Sequence, residues 1–311
     1  MKIYIGVTDD KWFDYLSHIK PDEVNFWQPS GRNSFRVLEP NELFLFKLHS
    51  PNNFIVGGGY FVSHSFLPAS IAWEAMKEKN GTNNYYDFLS AIHKYRKSDY
   101  KSEPDPKIGN IILSSPFFFN RSQWIPVPES WKSNIVQGKS YDTSEKEGYL
   151  LEQRIIERLS NIAINNNDSY ISINEEIEKY GTGQIIYPRL GQGAFRILVT
   201  EAYNKKCAIT GEKTLPVLDA AHIKPYSQEG PHEICNGILF RKDIHTLFDI
   251  GYITINEDYR VEVSKRIKKD YGNGKEYYAM HGRQLIEIPN NKTNMPDKKY
   301  LLWHNEKIFI A

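Results

Sequence analysis

Cysteine is nearly missing from this chain: there are two in 311 residues, Cys207 and Cys235, and no Cys-x-x-Cys pair. A structural zinc ribbon therefore has no ligands here, and two thiols in a chain without a secretion signal are expected to be reduced and packed. No apolar run approaches membrane-spanning length, and the opening MKIYIGVTDDKWF lacks a basic-then-apolar leader pattern. These absences point to a cytoplasmic protein with no membrane partner. Net charge is also lacking, since 39 Lys+Arg against 38 Asp+Glu leave +1. Any nucleic-acid contact must then come from local patches.

What is present is an ordinary soluble composition, 40% hydrophobic and 25% charged, with aromatics at 14%. High aromatic content suits β-rich domains and stacking pockets. The length allows two domains, each with its own core.

The most informative stretch is Leu218–Gly251, LDAAHIKPYSQEGPHEICNGILFRKDIHTLFDIG. Its spacings are 14 residues from His222 to Asn236, 9 from Asn236 to His245 and 4 from His245 to Asp249. Residues four apart share one helix face, so His245 and Asp249 could grip one cation. The apolar run Leu215–His222 reads as a strand, Asn236-Gly237 as a hairpin signal and Ile238–Phe240 as the next strand. Taken singly, each feature has a plainer reading as a satisfied histidine, a turn or a solvated helix pair.

In order, CAITG, AAHIKPY, NGILFRKDIH and LFDIGYI resemble the HNH nuclease family with its ββα-metal fold. The resemblance implies His222 as general base, Asn236 as the residue that orients it and braces the loop, and His245 and Asp249 as metal ligands. A base near neutral pH and a divalent cation, Mg²⁺ or Mn²⁺ with Ni²⁺ or Zn²⁺ as alternatives, are what phosphodiester hydrolysis needs. The sequence departs from the family at Ala221, where many members carry a further metal ligand. Asp219 points to the same side of a strand as Ala221 and is expected either to substitute as the ligand or to act through water.

Residues 1–160 read as a mixed β/α domain. Lys2–Val7, Leu43–Leu48, Phe54–Val62 and Ile108–Leu113 read as strands, and Lys11–Ile19, Ile71–Lys79 and Asn83–Arg96 as helices, while Glu23–Leu38 reads as a loop. Gly57–Gly59 inside a strand mark a bulge or a close approach. Asn25-Phe26-Trp27, ELFLFKL, IVGGGYF and Ala72-Trp73-Glu74 resemble the PUA-like class, which includes ASCH and EVE modules. That resemblance implies a β-barrel with helices that reads modified or unpaired bases, with Trp27, Arg32 and Tyr60 as the pocket. Trp27 either stacks on a flipped base or fills the core.

The polar cluster Asn165–Ser169 marks a linker, placed at 161–186, and the nuclease domain is expected over 187–311. Arg189 and Arg196 near the helix Gly193–Tyr203, together with Lys224, Arg241, Lys265, Arg266 and Lys268, are the expected DNA contacts. Each could instead pair with an acid or belong to a solvated face.

The fold class is therefore α+β: a PUA-like reader, a linker and a ββα-metal domain. The expected function is a metal-dependent DNA endonuclease that restricts double-stranded DNA carrying modified cytosine, and a homodimer would let a single-strand cutter cleave both strands. An HNH nuclease acting on unmodified DNA or RNA, and a non-cleaving binder with a degenerate site, are the alternatives.

Overall fold

Period-two alternation in the first half of the chain builds a sheet with two apolar faces. Strand β1 (Lys2–Thr8) leads through helix α1 (Asp10–Ile19) to β2 (Glu23–Gln28), β3 (Leu43–Leu48) and β4 (Phe54–Pro68). Helices α2 (Ala69–Met76) and α3 (Tyr85–Tyr95) precede β5 (Lys107–Phe118), and β6 (Ile125–Pro126), β7 (Gly138–Asp142) and α4 (Lys146–Asn165) follow. The structure, a computed structural model, describes residues 1–96, 103–165 and 190–311, with the side chains of 161–165 left out. The chain divides into two units, Met1–Arg189 and Leu190–Ala311. Most of the expected linker lies outside the described residues, and α4 occupies its first five positions.

The sheet order is β2-β5-β4-β3-β1-β7, with β6 on β4. β1 and β3 are parallel, and the other pairs are antiparallel. All six residues of β3 are buried. Leu43 and Leu45 pack with Ile3 and Ile5 of β1 and with Leu151 and Ile155 of α4. Phe44 and Phe46 point the other way, onto Trp12, Phe13 and Leu16 of α1. Helices on both faces explain why ELFLFKL is almost continuously apolar. The α+β class is as expected, but the sheet is open: among the described residues no pairing joins β2 to β7 to close a barrel.

Two local features reflect close backbone approach. A Cβ on Gly57 would lie 2.3 Å from the Phe117 carbonyl oxygen, and one on Gly58 would lie 2.7 Å from that of Phe44. The β4–β5 register shifts beside them, between Gly58 and Tyr60.

Where the sequence reads as a loop from Glu23, the structure has β2. A buried amide network anchors it. Asn25 Nδ2 donates to Asn80 Oδ1 at 2.9 Å and to Asn110 Oδ1 at 2.8 Å, while Asn80 and Asn110 donate to the Lys77 and Ile108 carbonyls. All three amides are fully buried. Their polarity hides the strand from a hydrophobic pattern.

In the second unit, helix α5 (Gln192–Ala202) lays Phe195 and Val199 against strands β8 (Leu218–His222) and β9 (Gly237–Arg241), and helix α6 (Lys242–Asp249) follows directly. Strands β10 (Ile253–Ile255) and β11 (Val261–Val263) form a hairpin, and α7 (Arg266–Tyr271), α8 (Lys275–Tyr278) and α9 (Lys298–Lys307) complete the unit. β8 and β9 are antiparallel with His222 opposite Gly237.

Asn236-Gly237 is not a two-residue turn as its sequence suggests. The strands are joined by residues 223–236, and Gly237 opens β9. Glycine is required there by packing, since a Cβ would lie 2.5 Å from Val199 Cγ2 and 3.0 Å from the Phe195 ring.

Candidate active site

His222, at the end of β8, stacks on Phe195 of α5 with ring centroids 3.8 Å apart and planes 12° from parallel. Its Nε2 is 2.9 Å from Nδ1 of His232. Burial, then the neighbouring imidazoles His232 and His245, push the His222 pKa down to about 4, against the opposing pull of Asp249. The ring is thus neutral at pH 7 and able to accept a proton.

Asn236 is fully buried and makes three hydrogen bonds. Its Oδ1 accepts from the Lys224 backbone N–H, and its Nδ2 donates to the carbonyls of Lys224 and Pro231, each at 2.9 Å. The Asn236 carbonyl also accepts from Ile223 N–H at 2.9 Å. This side chain closes the loop on itself. It reaches His222 through the loop and not by direct contact.

α6 sets His245 and Asp249 one turn apart, as the spacing predicts, with His245 Nε2 3.2 Å from Asp249 Oδ2. The other ring nitrogen, Nδ1, is 3.1 Å from Asp219 Oδ2. Arg196 Nη2 approaches Asp219 Oδ1 at 2.7 Å, so Arg196, Asp219, His245 and Asp249 form one chain of contacts. Burial disfavours charge on His245, but the carboxylates on its two nitrogens outweigh that and raise its pKa to about 9. Burial alone would raise the Asp219 pKa; its bond to His245 and the Arg196 charge bring it below the ordinary value.

This geometry alters the expected place of Asp219. The two lone-pair directions of an imidazole diverge, so a carboxylate on Nδ1 cannot meet the ion that Nε2 would hold. Asp219 has the position of a carboxylate that fixes a ligand's tautomer. Ala221 is fully buried in the core. Among the described residues no three His, Cys, Asp or Glu side chains converge on one point. One imidazole and one carboxylate remain, a sparse donor set that suits a divalent cation completing its shell with water and phosphate oxygens.

His222, His245, Asp249, Asp219, Arg196 and His304 line one cleft of about 330 Å³. His304, on α9, is a structural member: its Nδ1 is 2.8 Å from Thr254 Oγ1, its Nε2 is 3.1 Å from the Phe248 carbonyl, and it stacks on the Phe248 ring at 3.7 Å.

The expected DNA contacts fare differently from one another. Arg189 lies outside the described residues. Arg196 is engaged with Asp219, and Arg241 is held bidentately by Asp243, so part of each charge is neutralised within the protein. Lys224 Nζ sits 5.8 Å from the Trp303 ring centroid. Lys265, Arg266 and Lys268 are exposed at α7, with Arg266 3.1 Å from Asp270.

The first unit has a cleft of about 290 Å³ lined by Trp12, Phe26, Trp27, Gln28, Asn33, His49 and Tyr95, among others. Trp27 lines this cleft, with its indole N–H donating to the Asn80 carbonyl at 3.1 Å and its ring edge-on to Phe88. Arg32 and Tyr60 do not line it. Tyr60 packs with Ile3, Leu43 and Leu45 against the α4 side of the sheet, and Arg32 sits in the exposed segment after β2. Trp12, His49 and Tyr95 are among the cleft residues that the sequence pattern missed, because they join Trp27 only through the tertiary fold.

β8, β9 and α6 thus form a ββα element with a half-buried histidine on its strand and a His–Asp pair on its helix. Residues 207–256 match the family model described as HNH endonuclease, which spans β8, β9 and α6. No curated protein matches the chain. Among solved structures, the chain is similar to ASCH from Zymomonas mobilis, at 8% identity and TM-score 0.33, over 49% of this chain and 94% of that one. It is also similar to the modification-dependent TagI restriction endonuclease, at 12% identity and TM-score 0.28, over 93% of this chain and 76% of that one. No helix among the described residues is long and apolar enough to cross a membrane.

Proposed function

We propose that the chain is a metal-dependent DNA endonuclease that restricts double-stranded DNA carrying a modified base, with modified cytosine as the first candidate. Residues 1–160 serve as the reader, 161–186 as the linker and 187–311 as the cleaving domain. The observation that carries the reading is the cleft that gathers His222, His245 and Asp249.

His222 has one ring nitrogen engaged by His232, and the other, Nδ1, is the atom that accepts a proton from the attacking water. His245 offers Nε2 once that atom is deprotonated, with Asp219 retaining the hydrogen on Nδ1. His245 Nε2 and Asp249 Oδ2 would together hold Mg²⁺ or Mn²⁺, with Ni²⁺ and Zn²⁺ as alternatives. When bound, the divalent cation supplies charge stabilisation at the phosphate and the departing 3′ oxygen. Asn236 keeps the loop behind His222 closed. Lys265, Arg266 and Lys268 contribute backbone contacts, with smaller contributions from Lys224, Arg196 and Arg241. Arg189 belongs to the same proposed set.

In the first unit, Trp27 offers an aromatic face for a flipped base, flanked by Gln28 and Asn33 as hydrogen-bonding side chains. Because one such site cuts one strand, a homodimer acting in the cytoplasm completes the proposal. The buried Ala221 favours one rival, a binder that does not cleave.

The test is cleavage of matched duplexes, unmodified and with modified cytosines, by wild type and His222→Ala in Mg²⁺, Mn²⁺ or Ni²⁺. Cutting confined to modified DNA and lost in the variant supports both halves. Equal cutting of every duplex removes the reader, and DNA binding without any cutting favours the rival.

A further inference from the structure

Behind His222 lies a further imidazole that the motif does not call for. His232 lies in the loop between β8 and β9, half-buried, and is not among the residues that line the cleft. Its Nδ1 is nonetheless 2.9 Å from Nε2 of His222. Whatever His232 does for a substrate in the cleft it must do through His222.

Several independent contacts hold it there. The Tyr226 ring stacks on His232 with centroids 4.6 Å apart and planes 5° from parallel. Asn236 Nδ2 donates to the carbonyl of Pro231, the adjacent residue. At Gly230 the loop crosses itself so closely that a Cβ would lie 1.8 Å from the Lys224 carbonyl oxygen. The chain is thus held just before His232 and the ring on its face.

We propose that His232 is the positioning residue of the general base, accepting a hydrogen bond at Nδ1 from Nε2–H of His222 and so fixing the tautomer whose Nδ1 is the free base. The inference rests on the nuclease reading above. Of the two ways to place one hydrogen between these nitrogens, only this one leaves His222 Nδ1 unprotonated. The reverse placement would put the hydrogen of neutral His222 on Nδ1 and remove its basicity there. When His222 takes up the water's proton, the bond to His232 becomes charge-assisted and strengthens. The contact therefore contributes more as the reaction advances than in the resting state.

Two substitutions separate the hydrogen bond from packing. His232→Phe keeps a ring for Tyr226 to stack on but has no acceptor, whereas His232→Asn loses the ring and can place Oδ1 where Nδ1 accepts. In full-length protein with Mg²⁺ and a cleavable duplex, His232→Phe should lower kcat roughly 10- to 100-fold with KM little changed, and His232→Asn should recover most of the loss. ¹⁵N NMR of the histidine rings should find His222 protonated at Nε2 in wild type and a mixture of tautomers in His232→Phe. Wild-type kcat in folded His232→Phe, no recovery in folded His232→Asn, or an Nδ1-protonated His222 in wild type would each overturn the proposal. If wild type cuts no duplex at all, the nuclease reading has failed, and the tautomer measurement still decides the role of His232.

Discussion

A cleft of about 330 Å³ in the second unit and one of about 290 Å³ in the first differ in the chemistry of their walls. The larger gathers imidazoles and carboxylates whose proton affinities are pushed apart: His222 is driven down to about 4 and His245 up to about 9. The smaller is lined by Trp12, Phe26, Trp27 and Tyr95 together with the amides of Gln28, Asn33 and Gln137 and with Asp9 and His49. Opposed shifts among groups sharing one cleft are what acid–base and metal chemistry require. Aromatic walls with hydrogen-bonding groups beside them suit stacking on a planar ring.

The largest expected effect breaks the comparison on the reactive side. His222→Ala should lower cleavage by roughly 10²- to 10⁴-fold, the usual contribution of a general base, while circular dichroism stays unchanged. A smaller loss would mean that another group takes the proton. A second effect concerns stability. His304 is 2% exposed, and burial pulls its pKa from 6.5 to about 4. The unfolded chain takes up a proton near the ordinary value while the folded one resists until about 4. Stability is therefore full above the ordinary value and falls with pH between the two, by roughly 3 kcal/mol in total. Denaturant titrations at pH 7 and at pH 4.5 should record that loss in wild type and a smaller one in His304→Gln.

Asp219→Asn sharpens the comparison by keeping an acceptor for His245 Nδ1–H while removing the charge. Calorimetry with Mn²⁺ should record roughly 10- to 100-fold weaker binding; unchanged affinity would deny Asp219 its orienting role. The smallest effect belongs to the aromatic cleft. Trp27→Ala should weaken binding of a modified duplex by about 1–3 kcal/mol in cation-free buffer, and Trp27→Phe should retain part of it. Loss of folding without a separate loss of affinity would make Trp27 a core residue only.

How much of this was legible in the sequence follows the range of the interactions. The His245–Asp249 pair depends on a four-residue spacing within one helix, and β3 on a six-residue run apolar but for Lys47, so both are local and readable. Asp219 could be placed near the site by strand alternation, but its bond to His245 spans 26 residues and its bond to Arg196 joins a different helix. His232 gave no periodic signal. Its role depends on a loop whose closure is encoded in the Asn236 side chain, and Asn236-Gly237 in sequence imitates a turn. β2 was hidden because its pivotal residue is a buried amide, a type that patterning assigns to loops. The barrel expected of the first half was an inference from resemblance, and strand pairing alone could decide whether the sheet closes.

The linked amides of Asn25, Asn80 and Asn110 act as a register key. Among the described residues β2 pairs only with β5, which places it at one end of the sheet. Sliding β2 by one residue would part Asn25 from both partners and exchange the faces of every side chain on the strand, turning Trp27 away from its cleft. Misaligned pairings are therefore penalised by stranded amides, and the correct one is singled out without any added apolar contact. The aromatic cleft owes its existence to that selection among alignments.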